Sequence, residues 1–554
     1  MSGLLGLPAR AAHRVVDEAA YARAAWRAGM LGVDPPPALA RIVAGLLRHG
    51  PVGGLLSLAA ARYGDGAAIV DERGRLTYVE LDRRANAVAN GWRAAGLRPG
   101  DGVAVLARNH RGFLEAVFAA ARCGARIVLL NTDFAGPQLV EVCGREGVDL
   151  LVHDDEYTAL LTGVEPRLGR VLSWVDGPDP AAAAEVTSLD RLVASFPTSS
   201  PPRPGTHAKL VLLTSGTTGT PKGAPRKEPL SLAPFGVQLE RIPFRGRGVT
   251  AIPAPMFHTL GFAHAMLALA LGCTIVTRRR FDAEALLDDI ETHRVTALIA
   301  VPIMVQRLLE AEEAGGRRRD LSSLQVVFVA GSQLGAALAT RILDRVGPVL
   351  YNLYGSTEVA YATIAGPDDL RAAPACVGRP LRGTTVRLLD DDGREVPQGA
   401  TGRIFVGNGM QFDGYTGGGT KEMVGGLMSS GDVGHFDAEG RLHVDGRDDD
   451  MIVSGGENVF PGEVEELLAR RAEVGEVSVI GVPDVTYGHR LVAFVVPAPG
   501  EKVDGEALRL FVRENLARYK VPREIRVIDA MPRNPTGKVL KRALRDLAAE
   551  EMAG

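Results

Sequence analysis

The sequence predicts an α/β fold: a large N-terminal domain with parallel or mixed sheets flanked by helices, followed by a small α+β domain. Three observations carry that expectation. An apolar run "DGVAVLA" (101 to 107), a stretch of helical period "RGFLEAVFAAARCG" (111 to 124) and a second apolar run "ARIVLLN" (125 to 131) make a βαβ unit. The same order recurs at "VTALIAV" (295 to 301), a helix opening at Pro302, "LQVVFVAG" (324 to 331) and "AALATRILDRV". Past residue 446 the pattern changes to short alternating strands and single helices, "EVSVIGVP", "RLVAFVVP", "GEALRLFVRENLA" and "EIRVID".

A chain of 554 residues exceeds what one hydrophobic core usually serves. Taken in order, residues 1–50 form a helical leader, 51–448 the large domain and 449–554 the small one. Within the leader, Val15, Ala19, Ala22, Trp26 and Met30 recur at helical spacing before the break "VDPPP". Packing of that stripe against the main body is expected, with peripheral contact to a membrane surface as the alternative. The longest apolar stretch, 263 to 276, falls short of the roughly 18 to 20 residues that span a bilayer and reads as core, so no transmembrane segment is expected.

Composition narrows the function classes. Hydrophobic content of 46% with 23% charged residues describes an ordinary globular protein, and a net charge of -3 offers nucleic acid no general attraction. The triplets Arg278 to Arg280 and Arg317 to Arg319 read as solvated loop charges. Four cysteines without CxxC spacing (Cys123, Cys143, Cys273, Cys376) disfavour a disulfide framework or a zinc site and fit a reducing cytoplasm. No charged region followed by an apolar run and a cleavage site opens the chain.

The segment "KLVLLT" (209 to 214) is a strand, and "SGTTGTPKG" follows its end, where an α/β fold places anions. Glycines admit backbone N–H groups close to an anion, hydroxyls add donors and Lys222 adds a point charge. The loop is neither a Walker A motif, because Pro221 precedes Lys222, nor a GxGxxG fingerprint. Alone it is equally an ordinary turn.

Six segments in order decide between those readings. "TSGTTGTPKGA", "PMFHTLGF" (255 to 262), "NLYGSTE" (352 to 358), "SGDVGHFDAEG" (430 to 440), "GRDDDMIVSGGENVFPGEVE" (446 to 465) and "NPTGKVLKR" (534 to 542) together resemble the motifs of the adenylate-forming superfamily, from about residue 50 to the end. That superfamily comprises acyl-CoA synthetases, stand-alone adenylation domains and luciferases. The resemblance implies activation of a carboxylic acid with ATP and Mg2+ through an acyl adenylate, then transfer to coenzyme A. A carboxylate alone is a poor acyl electrophile, and AMP is a far better leaving group than oxide.

By that resemblance Ser215, Gly216, Thr217, Thr218, Gly219 and Lys222 hold the β and γ phosphates, while Thr214 and Glu358 lie near Mg2+. Tyr354 stacks on adenine, with Gly355, Ser356 and Thr357 beside it and Gly331, Ser332 and Gln333 on the opposite edge. Asp432 takes the ribose hydroxyls, Arg447 the ribose or phosphate, and Lys538 bridges carboxylate and α-phosphate. Glu358 has a bland alternative as a helix N-terminal carboxylate, and Arg447 as a hinge salt bridge. Only eight lysines stand beside 55 arginines in the chain, so lysines at 222 and 538 are not a compositional accident. The resemblance also implies that the small domain swings about Asp449 and brings Gly455 and Gly456 to the thiol.

His258 stands where amino-acid-activating domains carry an acidic residue, which points to a non-amino acid; its alternative is a core histidine. Met256, Phe257, Leu260, Phe262, Ala263 and Met266 supply an apolar lining. A medium- or long-chain fatty acid is the expected substrate, and a ligase loading an acyl or aryl group onto a separate carrier protein is the alternative. A regulatory adenylate binder is disfavoured because Glu358, Asp432 and Lys538 are all present. A homodimer is among the expected assemblies.

Overall fold

The computed structural model describes residues 7–176, 187–214, 222–225, 231–315, 317–416, 418–448, 452–454, 457–459, 461–484, 488–516, 520–535 and 537–550. They fall into two compact units, Met1–Phe328 with Gly409–Thr420, and Val329–Asn408 with Lys421–Gly554.

In the first unit the expected βαβ unit is present as Gly102–Leu106, Arg111–Arg122 and Arg126–Leu129, and it sits at the centre of a seven-stranded sheet. Six strands run parallel. The edge strand Lys222–Pro225 returns antiparallel to Lys209–Thr214, with Thr214 opposite Lys222. The helix Arg111–Arg122 is buried along its whole length, polar residues included. Its charges are therefore paired: Arg111 with Asp71, Glu115 with Arg84 and Arg122 with Asp82. In a second sheet of this unit Ala297–Ala300, Val249–Ala251, Thr274–Val276 and Ala67–Asp71 lie side by side in parallel, and Gly74–Thr77 turns back antiparallel. The apolar stretch at 263 to 276 is core, as expected.

Two expectations change here. The arginine triplets are bound into ion pairs rather than merely solvated: Arg279 with Glu156 and Asp176, Arg278 with Asp289, and Arg319 with Glu284 and Asp288. The leader helix Leu7–Ala28 packs on Ala233–Arg241; of the expected stripe Met30 is buried, but the helix itself packs through different residues. Tyr21, Ala24, Ala25 and Ala28 are buried, whereas Val15 is 69% and Trp26 56% exposed. The reason is steric: a Cβ at Gly236 would lie 2.3 Å from the Tyr21 Cβ, so Tyr21 occupies the space that glycine leaves. All four cysteines are free and buried.

A buried polar centre lies at the strand ends of the first unit. Asp154 accepts from the Ser173 hydroxyl at 2.7 Å and the Arg108 N–H at 2.9 Å, and its other neighbour is His110 Nε2 at 2.8 Å. Burial works to raise the Asp154 pKa, but His110 and the hydrogen bonds outweigh it and hold the carboxyl below its ordinary value. A carboxyl lowered on folding stabilises fully above the unfolded value of 3.8 and loses that contribution as pH falls through the folded value. We expect Asp154→Asn to cost about 3 kcal/mol at neutral pH and to flatten the acid limb of thermal stability below about pH 4. Melting curves from pH 3 to 7 check this, and an unchanged acid limb would refute it.

In the second unit Thr385–Leu389, Gly402–Gly407, Met423–Val424, Leu427–Phe436 and Leu442–Arg447 form one sheet. A further sheet pairs Val474–Asp484 with Gly488–Pro497, which Glu524–Val527 joins in parallel. Alternation along those strands sends Val479, Leu491, Ala493 and Val495 into a core with Val464, Leu468, Leu508 and Val512. Ile480, Val482, Val492 and Phe494 join a second core with Leu544 and Ala548. Helices on both faces thus cover the α+β part expected past residue 446.

Candidate active site

The hairpin Leu350–Ser356 and Ala360–Ala365 carries the motif "YGSTE". Its strands pair with a register shift between Tyr354 and Gly355. Gly355 is required there, because a Cβ would stand 2.1 Å from the Ala360 carbonyl oxygen. Ala360 itself takes a φ of 64°, a strained value for a residue with a side chain. Asn408 braces the turn by donating to the carbonyls of Val359 and Tyr361 at 2.8 and 3.0 Å. Within the turn the Ser356 hydroxyl donates to Glu358 at 2.9 Å. Glu358 therefore sits in a β-hairpin, which removes its alternative as a helix N-terminal carboxylate.

Beside the hairpin the strand Leu427–Phe436 presents Asp432, in register with Arg447. The Tyr354 hydroxyl donates to Asp432 Oδ2 at 2.6 Å, and Arg447 lies 3.5 Å from Oδ1. Ser430 donates to the Ile404 carbonyl and accepts the Asp432 N–H, each at 3.1 Å, which fixes the backbone beneath the carboxylate. Burial raises the Asp432 pKa, while Arg447, Tyr354, Ser430 and the charge of Lys538 act to lower it. Lys538 is thus electrostatically coupled to this carboxylate. The Tyr354 hydroxyl is pushed well above its ordinary range by burial and by Asp432.

Lys538 stands exposed at the end of a tight turn. Its N–H donates to Asn534 Oδ1 at 2.9 Å, its carbonyl accepts the Asn534 N–H at 2.9 Å, and Gly537 supplies a φ of 77°. Gln333 contacts Glu466 at 3.3 Å, and Gly331 has a φ of 94°. Sequence reasoning passed over Lys421. A Cβ on Gly431 would lie 3.4 Å from both the Lys421 ammonium and the Arg447 guanidinium, so two cations converge on that glycine. The scarcity of lysine that singled out Lys222 and Lys538 applied equally to Lys421.

In the first unit His258 precedes the helix Thr259–Ala270. Its Nε2 is buried without a hydrogen-bond partner, and burial lowers its pKa to about 4, so the ring is neutral. Met256, Phe257, Phe262 and Met266 are buried nearby in sequence. Gly223, next to Lys222, is held by Thr416, whose hydroxyl accepts the Gly223 N–H and contacts Glu146, each at 2.9 Å. Ser215, Gly216, Thr217, Thr218, Gly219, Asp449, Gly455 and Gly456 lie outside the described residues, as do the side chains of Thr214 and Lys222.

Tyr354, Asp432 and Arg447 thus come together within the second unit, with the charge of Lys538 acting on the same carboxylate. The AMP-binding enzyme model matches residues 56–416, and the AMP-binding enzyme C-terminal domain model matches 463–538. The chain belongs to the AMP-binding enzyme family. This adenylate-forming enzyme is an AMP-forming acid–thiol ligase. It is 37% identical to a feruloyl-CoA synthase from Amycolatopsis sp over 478 residues, 85% of this chain and 93% of that one. Its fold is similar to an anthranilate CoA ligase in complex with anthranoyl-AMP, with a TM-score of 0.81, 25% identity, and 91% of this chain and 98% of that one covered. It is also similar to an o-succinylbenzoate coenzyme A synthetase from Bacillus subtilis in complex with ATP and magnesium ion, with a TM-score of 0.74, 25% identity, and 89% and 99% covered. ATP and coenzyme A are substrates of the CoA ligases of this family.

Proposed function

We propose that this ligase activates an aromatic carboxylic acid and transfers it to free coenzyme A. The reaction reading is carried by the convergence of Tyr354, Asp432, Arg447 and the charge of Lys538. Asp432 takes the ribose hydroxyls, and Tyr354 stacks on the base while its hydroxyl is tied to Asp432. Lys538 neutralises the carboxylate and α-phosphate where the two anions meet. The carboxylate oxygen bonds to the α-phosphorus and pyrophosphate leaves, attended by Ser215, Gly216, Thr217, Thr218, Gly219 and Lys222. The thiol sulfur then bonds to the acyl carbon, AMP leaves and the thiol proton passes to solvent. Between the steps, residues 449–554 swing about Asp449 and bring Gly455 and Gly456 to the pantetheine arm.

The described residues hold no cluster of three or more metal ligands, and Glu358 offers one carboxylate oriented by Ser356. That donor set fits Mg2+, which takes few protein carboxylates and otherwise binds phosphate oxygens and water. When bound, the ion neutralises phosphate charge. Glu358 and Thr214 are the residues that would hold it.

For the acid, the names of the relatives favour an aromatic ring over the expected fatty acid. The chain supports that reading at the helix Thr259–Ala270. His264 Nδ1 lies 2.7 Å from the Leu260 carbonyl and must donate to it, which leaves Nε2 an acceptor, buried and without a partner. Burial lowers its pKa to about 4, so it stays neutral. The rings of Phe328 and Phe244 lie 4.4 and 6.0 Å away. An aryl acid bearing a hydroxyl or amino donor satisfies that acceptor, and an alkyl chain does not. The free thiols fit a reducing, cytoplasmic setting.

Pyrophosphate release across hydroxycinnamic, arylacetic and benzoic acids and fatty acids of graded length, with and without coenzyme A, tests this. We expect an aromatic acid to lead by at least about tenfold in kcat/KM and to yield a thioester with free coenzyme A. A preference for a fatty acid, or no thioester from free coenzyme A, overturns the reading.

A further inference from the structure

Lys421 lies just before the short strand Met423–Val424. The Glu422 carbonyl accepts the Ser429 N–H at 2.9 Å, which carries the pairing with Leu427–Phe436 on toward Gly431. Gly431 takes a φ of 81°, and its own backbone groups are engaged. Its N–H donates to the Ser429 hydroxyl at 3.2 Å, and its carbonyl accepts the Asp448 N–H at 3.0 Å. What stays open is the space a side chain would take. The Lys421 Nζ and a guanidinium nitrogen of Arg447 each stand 3.4 Å from where its Cβ would be.

Two like charges beside one glycine call for an anion, and the carboxylates nearest in the chain are already engaged. Glu422, next to Lys421, and Asp448, next to Arg447, both bind Arg403. Asp432 lies 3.5 Å from Arg447 and accepts the Tyr354 hydroxyl at 2.6 Å. Lys421 is half-buried and, among the described residues, has neither a carboxylate nor a hydrogen-bond partner. An ammonium partly withdrawn from water without a partner loses hydration for no return unless a ligand supplies the countercharge.

We propose that Lys421, with Arg447, grips the phosphate of the adenylate and is a catalytic residue of the second half-reaction. Asp432, next in the chain after Gly431, takes the ribose in the function proposed above, and on that reading the 5′-phosphate of the same nucleotide meets the two cations. When the thiol sulfur bonds to the acyl carbon, the bond from that carbon to the phosphate oxygen breaks and its electron pair leaves with AMP. The phosphate thus passes from one negative charge toward two, while the thiol proton goes to solvent. A cation beside it is held more strongly in the transition state than before, which is what speeds a step. Lys538 belongs to residues 449–554, which swing between the steps. Lys421 and Arg447 precede residue 449 and stay with the nucleotide, so the first step loses Lys538 and the second keeps Lys421.

Full-length parent, Lys421→Gln and Asp432→Ala are compared by calorimetry with AMP and with adenosine, and by thioester formation from synthetic acyl-AMP and coenzyme A. For Lys421→Gln we expect AMP affinity to fall about tenfold or more and adenosine affinity to stay within about twofold of the parent. Thioester formation should slow about tenfold or more with the KM for coenzyme A unchanged. AMP affinity at the parent's level overturns the proposal, and so does an equal loss for AMP and adenosine, which would make Lys421 a structural residue. A raised KM for coenzyme A with AMP affinity intact gives the cations to the phosphates of coenzyme A and overturns it as well. Asp432→Ala separates this from the ribose reading. Unchanged adenosine affinity in that variant sinks both, whereas weakened adenosine there, with AMP unaffected by Lys421→Gln, sinks the role of Lys421 alone.

Discussion

Lys538→Ala lowers acyl-adenylate formation by about a hundred- to thousandfold while leaving thioester formation from supplied acyl-AMP within a few-fold of the parent. The first half-reaction brings a carboxylate onto a phosphate, and the charge of Lys538 reaches the nucleotide-side carboxylate Asp432. In the second half-reaction the thiol displaces AMP from the acyl carbon, and no carboxylate has to be brought onto a phosphate there. Pyrophosphate exchange reads the first step, and thioester formation from synthetic acyl-AMP reads the second. Lys541→Ala, three residues on, is the control for general loss of charge and leaves both steps intact. Equal losses in the two steps with Lys538→Ala would remove Lys538 from the adenylation step.

Asp432→Ala damages both half-reactions, because the nucleotide is held through both. On the proposed ribose role, loss of the carboxylate takes away two hydrogen bonds to the ribose hydroxyls, and kcat/KM for ATP is expected to fall about a hundredfold or more. Within the protein the same change leaves the Tyr354 hydroxyl, now bonded at 2.6 Å, and Arg447 without their shared acceptor. Asp432→Asn keeps the shape and loses the charge, and should fall between the two. Steady-state kinetics with ATP varied, beside adenylate binding by calorimetry, separates this from Lys538→Ala. Unchanged adenylate affinity in Asp432→Ala would exclude the ribose assignment.

The parts of the site legible before folding were those with a distinctive residue type in a fixed local setting. "YGSTE", "SGD" and "NPTGK" each put chemistry on one short turn or strand, so the residues could be named in advance. Lys421 could not, because its ammonium comes up to Gly431 only through sheet pairing. Glu358 kept a lesser alternative as a helix-terminal carboxylate until the hairpin Leu350–Ser356 and Ala360–Ala365 showed no helix there. His264 read as one more residue in an apolar run, and its orphaned Nε2 is visible only with its neighbours in place.

The leader shows the same limit in packing. Helical period found a stripe at Val15, Ala19, Ala22, Trp26 and Met30, of which Met30 is buried, but the helix carries a second stripe at Tyr21, Ala24, Ala25 and Ala28 that packs inward. Which one turns inward was settled by Gly236 and by the Glu18 bonds to Ser231 and Leu232, more than 200 residues away.

Local order therefore established the α/β class and the βαβ units, since period and turn composition act over a few residues, and the resemblance of the six motifs supplied the adenylate-forming chemistry. Tertiary structure decided the pairing of Tyr354, Asp432 and Arg447, the burial of His264 and the outward turn of the leader's apolar face. Each of these depends on distant segments meeting, which spacing along the chain does not encode.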